Sequence, residues 1–373
     1  MLSFKPESGE ALHRQIARHI RLLIHGGNLP AGSKLPRMHD LAARWGTNYF
    51  TVHTALTGLV GEGLLERKPR LGTFVRKPGK NLKSVGIYYA DEILTKHERA
   101  FYRSLHAQLM ALLQKEKISN QVFIDCRPHD RQDEPLQELA QAVSSNTIQG
   151  LIVPLINEQG TAWLKNLPLP TSFFSNLRTS YSRICIDHHQ IIYMACRALL
   201  QQGCRTVGLI NPTPITELSG GKTPGDSIHN AFRSSVEALG LKTRKSWTRI
   251  PLKVPKSQER FGYEEFHQLW PQKERPDGVI VYPENASRGV ALAVLERRVK
   301  IPTELKLVLH KNQNVDFLCP ISASWVVTRE RDIAEALIQQ IKDRFAGLEP
   351  RSYDIRHDFV MMNEEHPLLH PAR

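Results

Sequence analysis

The chain has 373 residues, of which 41% are hydrophobic and 23% charged, and a formal net charge of +13. Such a length exceeds one ordinary core and points to two or three domains. No apolar run approaches membrane-spanning length, and Met1-Leu2-Ser3-Phe4-Lys5-Pro6 holds no apolar stretch fit for a signal, so a cytoplasmic protein is expected. The five cysteines (Cys126, Cys185, Cys196, Cys204, Cys319) form an odd set without a Cys-x-x-Cys spacing. Several lie in apolar runs and read as buried reduced thiols rather than disulfides or zinc ligands.

The charge is uneven. Residues 1–80 carry 13 Lys and Arg against 5 acids, a net of +8, so the other 293 residues carry only +5 of the total +13. Positive charge gathered in the smallest segment suits a phosphate-binding module, because counterion release supplies most non-specific affinity for nucleic acid.

In chain order, Ser8 is a plausible cap with Glu10 in the first turn, and Leu12, Ile16, Ile20 and Leu23 follow at helical spacing until Gly26-Gly27. A second helix begins near Pro36 and buries Met38, Leu41, Ala42 and Trp45. After a turn at Gly46, a third presents Val52, Ala55, Leu56, Leu59 and Val60 to the same core. Its opposite face holds Phe50, Thr54 and Thr57, flanked by Thr51 and His53. Two short strands follow, Leu64–Lys68 and Gly72–Arg76, joined by Pro69-Arg70-Leu71-Gly72. This is the pattern of a winged helix-turn-helix, in which the exposed first turn of the later helix reads the major groove.

Leu12-His13-Arg14-Gln15-Ile16, Leu35-Pro36, Thr51-Val52-His53-Thr54-Ala55-Leu56 and Gly72-Thr73-Phe74-Val75 together resemble the DNA-binding domain of GntR-family bacterial regulators over about 70 residues. The family usually has Ser-x-Arg after the Leu-Pro and Ser-Arg at the start of the recognition helix. Here Arg37-Met38-His39 and Asn48-Tyr49 stand in those places, and Arg70-Leu71-Gly72 replaces a Gly-x-Gly wing. Arginine is the usual bidentate reader of guanine, a contact of roughly 1–3 kcal/mol. Its loss from the helix leads us to expect A/T-rich positions there, with any guanine read by Arg37 or the wing. Phe50 and the threonine methyls suit the thymine methyl, and Asn48 suits adenine if its side chain is not a helix cap. The expected DNA contacts are Arg37, His39, Asn48, Tyr49, Phe50, Thr51, His53, Arg70 and Thr73.

Residues 78–83 read as a linker between a head at 1–77 and a body at 84–373. In the body, near-continuous apolar strands at 85–89, 121–124, 150–154, 171–174, 182–187, 206–210, 278–282 and 305–309 alternate with helical stretches. That rhythm predicts parallel sheets covered on both faces, in two lobes. Ile184-Cys185-Ile186-Asp187, then Gly203-Cys204-Arg205-Thr206-Val207-Gly208, Arg275-Pro276-Asp277-Gly278 and Val299-Lys300-Ile301-Pro302 resemble the effector domain of LacI/GalR-type regulators, a periplasmic-binding-protein-like fold. The resemblance implies one lobe of 84–203 plus 312–347 and another of 204–311 plus the end. The pocket phrases depart from that pattern. The family's ligand-contacting Arg falls on Ile228, its Asn-Asp on Pro283-Glu284-Asn285, and its Gly-Phe-Asp on Leu309-His310-Lys311. By position at strand carboxyl ends, the expected effector contacts are Tyr89, Asp91, Glu284, Asn285 and Lys311.

Gly221-Lys222-Thr223 lacks the glycine a phosphate loop needs at position 216, which is Thr216, and Pro224 interrupts the required helix. Adjacent His188-His189 cannot share one helix face as metal ligands and read as a helix start. No catalytic set, metal or cofactor is expected. The reading is an α/β ligand-responsive transcriptional repressor, a homodimer on duplex DNA, with a small solute (carbohydrate first, on fold resemblance) between its lobes. The alternatives are an α/β enzyme tethered to DNA by a basic arm, and an architectural DNA binder with a vestigial sensor.

Overall fold

The computed structural model describes residues 4, 11–25, 29–30, 32–61, 64–75, 82–94, 97–156, 162–175, 183–215, 224–346 and 353–360. Ser8, Glu10, Gly26-Gly27, most of the linker and Gly221-Lys222-Thr223 with Thr216 lie outside them. The chain divides into two compact units: Met1–Asn81 with Asp343–Glu349, and Leu82–Lys342 with Pro350–Arg373.

In the first unit, α1 (Leu12–His25), α2 (Met38–Arg44) and α3 (Tyr49–Gly61) precede the hairpin of β1 (Leu65–Lys68) and β2 (Gly72–Val75). Ile16, Ile20, Leu41, Trp45, Val52, Leu56 and Leu59 bury against one another at the expected helical spacing. Gly46 ends α2 with φ +61, a left-handed backbone natural to glycine, and the Thr47 N–H reaches back to the Ala42 carbonyl. Asn48 then starts α3, its Oδ1 accepting from the Thr51 N–H at 2.8 Å. Beside the hairpin the 32–35 segment runs as a third, irregular strand, the Leu35 N–H donating to the Thr73 carbonyl and Val75 to Ser33.

The second unit is two parallel α/β lobes. In the first, β3 (Ser84–Tyr89), β4 (Ser119–Ile124), β5 (Leu151–Leu155) and β6 (Thr171–Phe173) form a sheet in the order β4-β3-β5-β6, covered by α4 (Ala100–Lys115) and α5 (Gln137–Ser144). Next to β6, β7 (Ile184–Ile186) bridges Phe174 and pairs with β13 (Tyr353–Ile355). The second lobe carries β8 (Val207–Ile210), β9 (Thr248–Arg249), β10 (Gly278–Val281), β11 (Lys306–Asn312), β12 (Ser324–Thr328) and β14 (Asp358–Val360) in the order β14-β12-β11-β10-β8-β9, only β14 antiparallel. Its helices are α6 (His188–Gln201), α7 (Pro224–Ala238), α8 (Gln258–Leu269) and α9 (Glu284–Glu296).

The lobe boundaries differ from the expected ones. The buried face of α6 packs on Val207, Leu209 and Ile280, so 188–203 belongs to the second lobe. β12 pairs with β11 there too, whereas α10 (Glu330–Phe345) returns to the first lobe, where Ile341 meets Gly150 and Gln340 reaches the Phe173 N–H. The end is split, β13 joining one lobe and β14 the other. The chain therefore crosses between lobes at 186–188, 328–330 and 355–358. The resemblance that implies the other boundaries follows the order of segments along the chain, and periodicity identifies apolar faces, but neither determines which sheet a segment covers.

Candidate functional site

On the head, α2 and the first turn of α3 present a polar and aromatic surface. Arg37, His39, Asn48 and Phe50 are exposed, and Tyr49, Thr51 and His53 are half-buried. The Tyr49 ring lies 4.8 Å from His39 and stacks at 5.9 Å on His53, so its position is shared by both helices. Phe50 is 77% exposed. A side chain of that size left in water forgoes roughly 1.5–3 kcal/mol of burial, and packing within its own domain does not account for it. Thr54 and Thr57 give their hydroxyl protons to the Phe50 and His53 carbonyls at 2.9 and 2.7 Å, leaving α3 with few side-chain donors on this face. Arg70 sits exposed at the wing turn, in the left-handed region at φ 62, beside Leu71 and Gly72.

Two of the expected contacts, Asn48 and Thr73, are engaged or buried within the head itself. Asn48 Oδ1 accepts from both the Thr51 N–H and the Thr51 hydroxyl, so the oxygen that adenine would need is committed to capping. Thr73 is 8% exposed, on the side of β2 that faces the head's core, and is not presented on this surface.

In the body, strands of both lobes end at one cavity of about 640 Å³. Phe174 follows β6, Ile186 ends β7, Thr213 follows β8, Tyr282 follows β10, and Asn312 ends β11. Ligands in open α/β folds sit at such carboxyl ends. Phe101 and Tyr102 from α4 and Phe174 supply aromatic wall from the first lobe, and Tyr282 and Ile228 add apolar wall from the second. Helices α8 and α9 cross so closely that a Cβ on Gly262 would strike the Ala286 carbonyl, and one on Gly289 the Glu259 carbonyl. This contact brings the starts of both helices, Gln258 and Asn285, to the cavity mouth. There the Asn285 amide donates to the Glu98 carbonyl at 3.3 Å, and the Gln258 N–H to the Glu98 carboxylate at 3.2 Å.

The charged groups of the wall are already engaged. Arg99 is gripped by Asp91, and Glu284 takes Arg288 on Oε1 and the Asn312 backbone and side-chain N–H groups on Oε2 at 2.7 and 2.8 Å. Three buried imidazoles lie at or behind the floor, His188, His310 and His357. Burial lowers all three pKa values, to about 4 for His188 and about 3 for His357, so each ring is neutral at ordinary pH.

Of the five expected effector contacts, Glu284 and Asn285 line the cavity. Tyr89, Asp91 and Lys311 do not. Tyr89 is buried under α4 with its hydroxyl 3.0 Å from His106 Nδ1, and Asp91 acts through Arg99. On β11, alternate residues face opposite sides, so His310 and Asn312 reach the cavity and Lys311 between them does not. Burial lowers the Lys311 pKa. Arg99, Tyr102 and Phe174 line the cavity without having been expected there, as do His188, read as a helix start, and His310, which lies in the phrase from which only Lys311 was expected. A strand-end aromatic in Tyr282-Pro283 and the alternation along β11 were the available signals.

Residues 12–75 match the family model described as bacterial regulatory proteins, gntR family, and residues 196–358 match the model described as a periplasmic binding protein-like domain. The chain thus joins a segment that matches gntR-family regulatory proteins to a two-lobed, periplasmic-binding-protein-like body, and the class this defines is a transcriptional regulator, as its relatives are. Among its relatives, the HTH-type transcriptional repressor PurR of Yersinia pestis is 22% identical over 248 residues, 64% of this chain and 69% of that protein. The arabinose metabolism transcriptional repressor of Geobacillus stearothermophilus is 24% identical over 315 residues, 79% of this chain and 80% of the relative. Among solved structures, the transcriptional regulator CelR–cellobiose complex superposes with TM-score 0.61 at 12% identity, covering 88% of this chain and 99% of that one. No helix among the described residues is long and apolar enough to cross a membrane.

Proposed function

We propose that the protein is a cytoplasmic, dimeric repressor whose operator affinity is set by an uncharged solute bound between the two lobes of its body. The observation that carries this reading is the cavity of about 640 Å³, shared by strand ends of both lobes, whose wall residues Arg99 and Glu284 are already held in ion pairs by Asp91 and Arg288 behind them. A phosphate or carboxylate entering there meets no uncommitted cation among Arg99 and Arg288. A ring bearing hydroxyls meets aromatic faces and neutral donors instead. Carbohydrate is the first class to test, since one relative is an arabinose metabolism repressor and one structural neighbour is a CelR–cellobiose complex.

We assign DNA binding to residues 1–77, with Arg37, His39, Tyr49, Phe50, Thr51, His53 and Arg70 as the contacting set and 78–83 as linker to the effector body at 84–373. Two heads on two half-sites multiply the specificity that one short helix supplies. The solute acts only through its differential affinity for the two arrangements of the lobes, typically about 1–3 kcal/mol of coupling. The body is assigned to sensing rather than turnover.

The test is a thermal-shift and calorimetric screen of full-length protein with L-arabinose, D-ribose, D-xylose, D-glucose and cellobiose, beside D-ribose 5-phosphate and D-glucose 6-phosphate. The screen is paired with operator binding and with a turnover assay on every hit. An uncharged sugar should stabilise the protein and change operator affinity without being consumed. Preference for the phosphorylated sugars, or turnover, overturns the reading.

A further inference from the structure

His310 is 3% exposed and lines the cavity. Its Nε2 lies 2.7 Å from the Thr328 hydroxyl, and its backbone N–H donates to Ser287 Oγ at 3.1 Å. Its Nδ1 is buried and has no hydrogen-bond partner among the described residues. Tyr282 packs against this ring at 4.6 Å and against His188 at 5.7 Å, while His357 stands 6.3 Å from His310. Among the described residues no group of three or more His, Cys, Asp or Glu is placed to hold a metal ion, so these rings are not explained as ligands.

A neutral imidazole has one donor and one acceptor nitrogen, and a buried one left unpaired is costly. With Nε2 committed to Thr328, the nitrogen of this cavity-lining ring that has no partner among the described residues is the buried Nδ1. We propose that His310 is the specificity-determining contact of the cleft, its Nδ1 exchanging a hydrogen bond with a hydroxyl of the bound solute, and that Thr328 is a positioning residue holding the ring's orientation. A solute hydroxyl serves either tautomer of the ring, since it both donates and accepts. It also brings no charge among three neutral rings. Thr328 ends the strand that leads into the 328–330 crossing between lobes, so the same bond ties the ligand floor to a segment that must flex on closure.

The inference rests on the cleft being the effector site, and the experiment separates the two. Full-length wild type, His310→Phe, Thr328→Val, Thr328→Ser and Asn285→Ala are titrated calorimetrically with the five uncharged sugars, and histidine-labelled protein is followed by long-range ¹H–¹⁵N ring spectra. His310→Phe keeps a flat ring and removes both nitrogens, and it should weaken the binding sugar by roughly tenfold to a hundredfold. Thr328→Val should shift the His310 ring resonances and weaken binding several-fold, and Thr328→Ser should restore both. The His310 Nδ1 resonance should move on saturation with the sugar. If no sugar binds the wild type, the cleft reading falls and this inference with it. If a sugar binds and Asn285→Ala weakens it, yet His310→Phe binds normally, the inference alone falls. Should His310→Phe not fold, an Nδ1 resonance unmoved by saturating sugar in the wild type overturns the inference.

Discussion

The head and the body dispose of their polar and aromatic groups in opposite ways. The head turns Arg37, His39, Phe50 and Arg70 outward from its helices and its wing, into water. The body turns Tyr282, His188 and His310 inward around a chamber of about 640 Å³ and engages the wall charges Arg99 and Glu284 in ion pairs. The contrast teaches that two recognition chemistries follow from where the fold leaves desolvation to occur. Outside, charge remains hydrated and its attraction is screened by salt. Inside, an unmatched charge or hydrogen-bonding group is costly, and shape and hydrogen bonding decide.

The comparison breaks most readily with pH. His188 and His357 have folded pKa values near 4 and 3 against an ordinary 6.5, and His310 is lowered in the same direction. The unfolded chain therefore binds more protons than the folded one below pH 6.5, so stability is full above that value and falls as pH drops toward 4. The loss should reach roughly 2 kcal/mol for each of His188 and His357 by pH 5. Denaturant melts of the body across pH 5 to 8 measure it, and replacing His357 with Gln should flatten the dependence; a flat wild-type profile contradicts the burial argument.

Next in size is the head's core. Leu56→Ala removes a fully buried side chain and should cost about 2–5 kcal/mol, melting the head early while calorimetric sugar binding by the body persists. Loss of both functions together would show that the two units do not unfold independently.

Reversing Arg37 and Arg70 to Glu should lower duplex affinity tenfold or more at moderate ionic strength and flatten the log-affinity against log-salt slope by about 2. Fluorescence anisotropy across a salt series reads this, and the sugar affinity of the body serves as the internal control. An unchanged slope removes both residues from the phosphate-facing set.

The smallest effects sharpen the head itself. Asn48→Ala should cost about 1 kcal/mol of stability by uncapping α3, since Asn48 Oδ1 holds the Thr51 N–H. Phe50→Ala should leave stability within about 0.5 kcal/mol, because the ring is exposed, yet relax preference for thymine in binding-site selection.

Much of the head was legible because its code is local. Val52, Ala55, Leu56 and Leu59 recur at helical spacing, and all four are buried in the structure. The capping of Asn48 was legible only as a condition, since hydrogen bonding decides whether the same amide serves the helix or a base. In the body the strands were readable from continuous apolar runs, but the 258–269 helix, the 324–328 strand and the 330–345 helix were not singled out, and the lobe division was misdrawn around them.

What the order of residues settled unaided is the kind of molecule: a basic winged head followed by alternating strands and helices, because period and charge are properties of neighbours along the chain. What required the folded chain is the composition of the cleft. Its wall comes from segments as distant as Arg99, Phe174, His188, Gln258, Tyr282 and His310, and whether each faces the chamber depends on strand register and helix crossing. Burial, and with it the neutrality of the imidazoles and the pairing of the charges, arises only when those distant segments exclude water together.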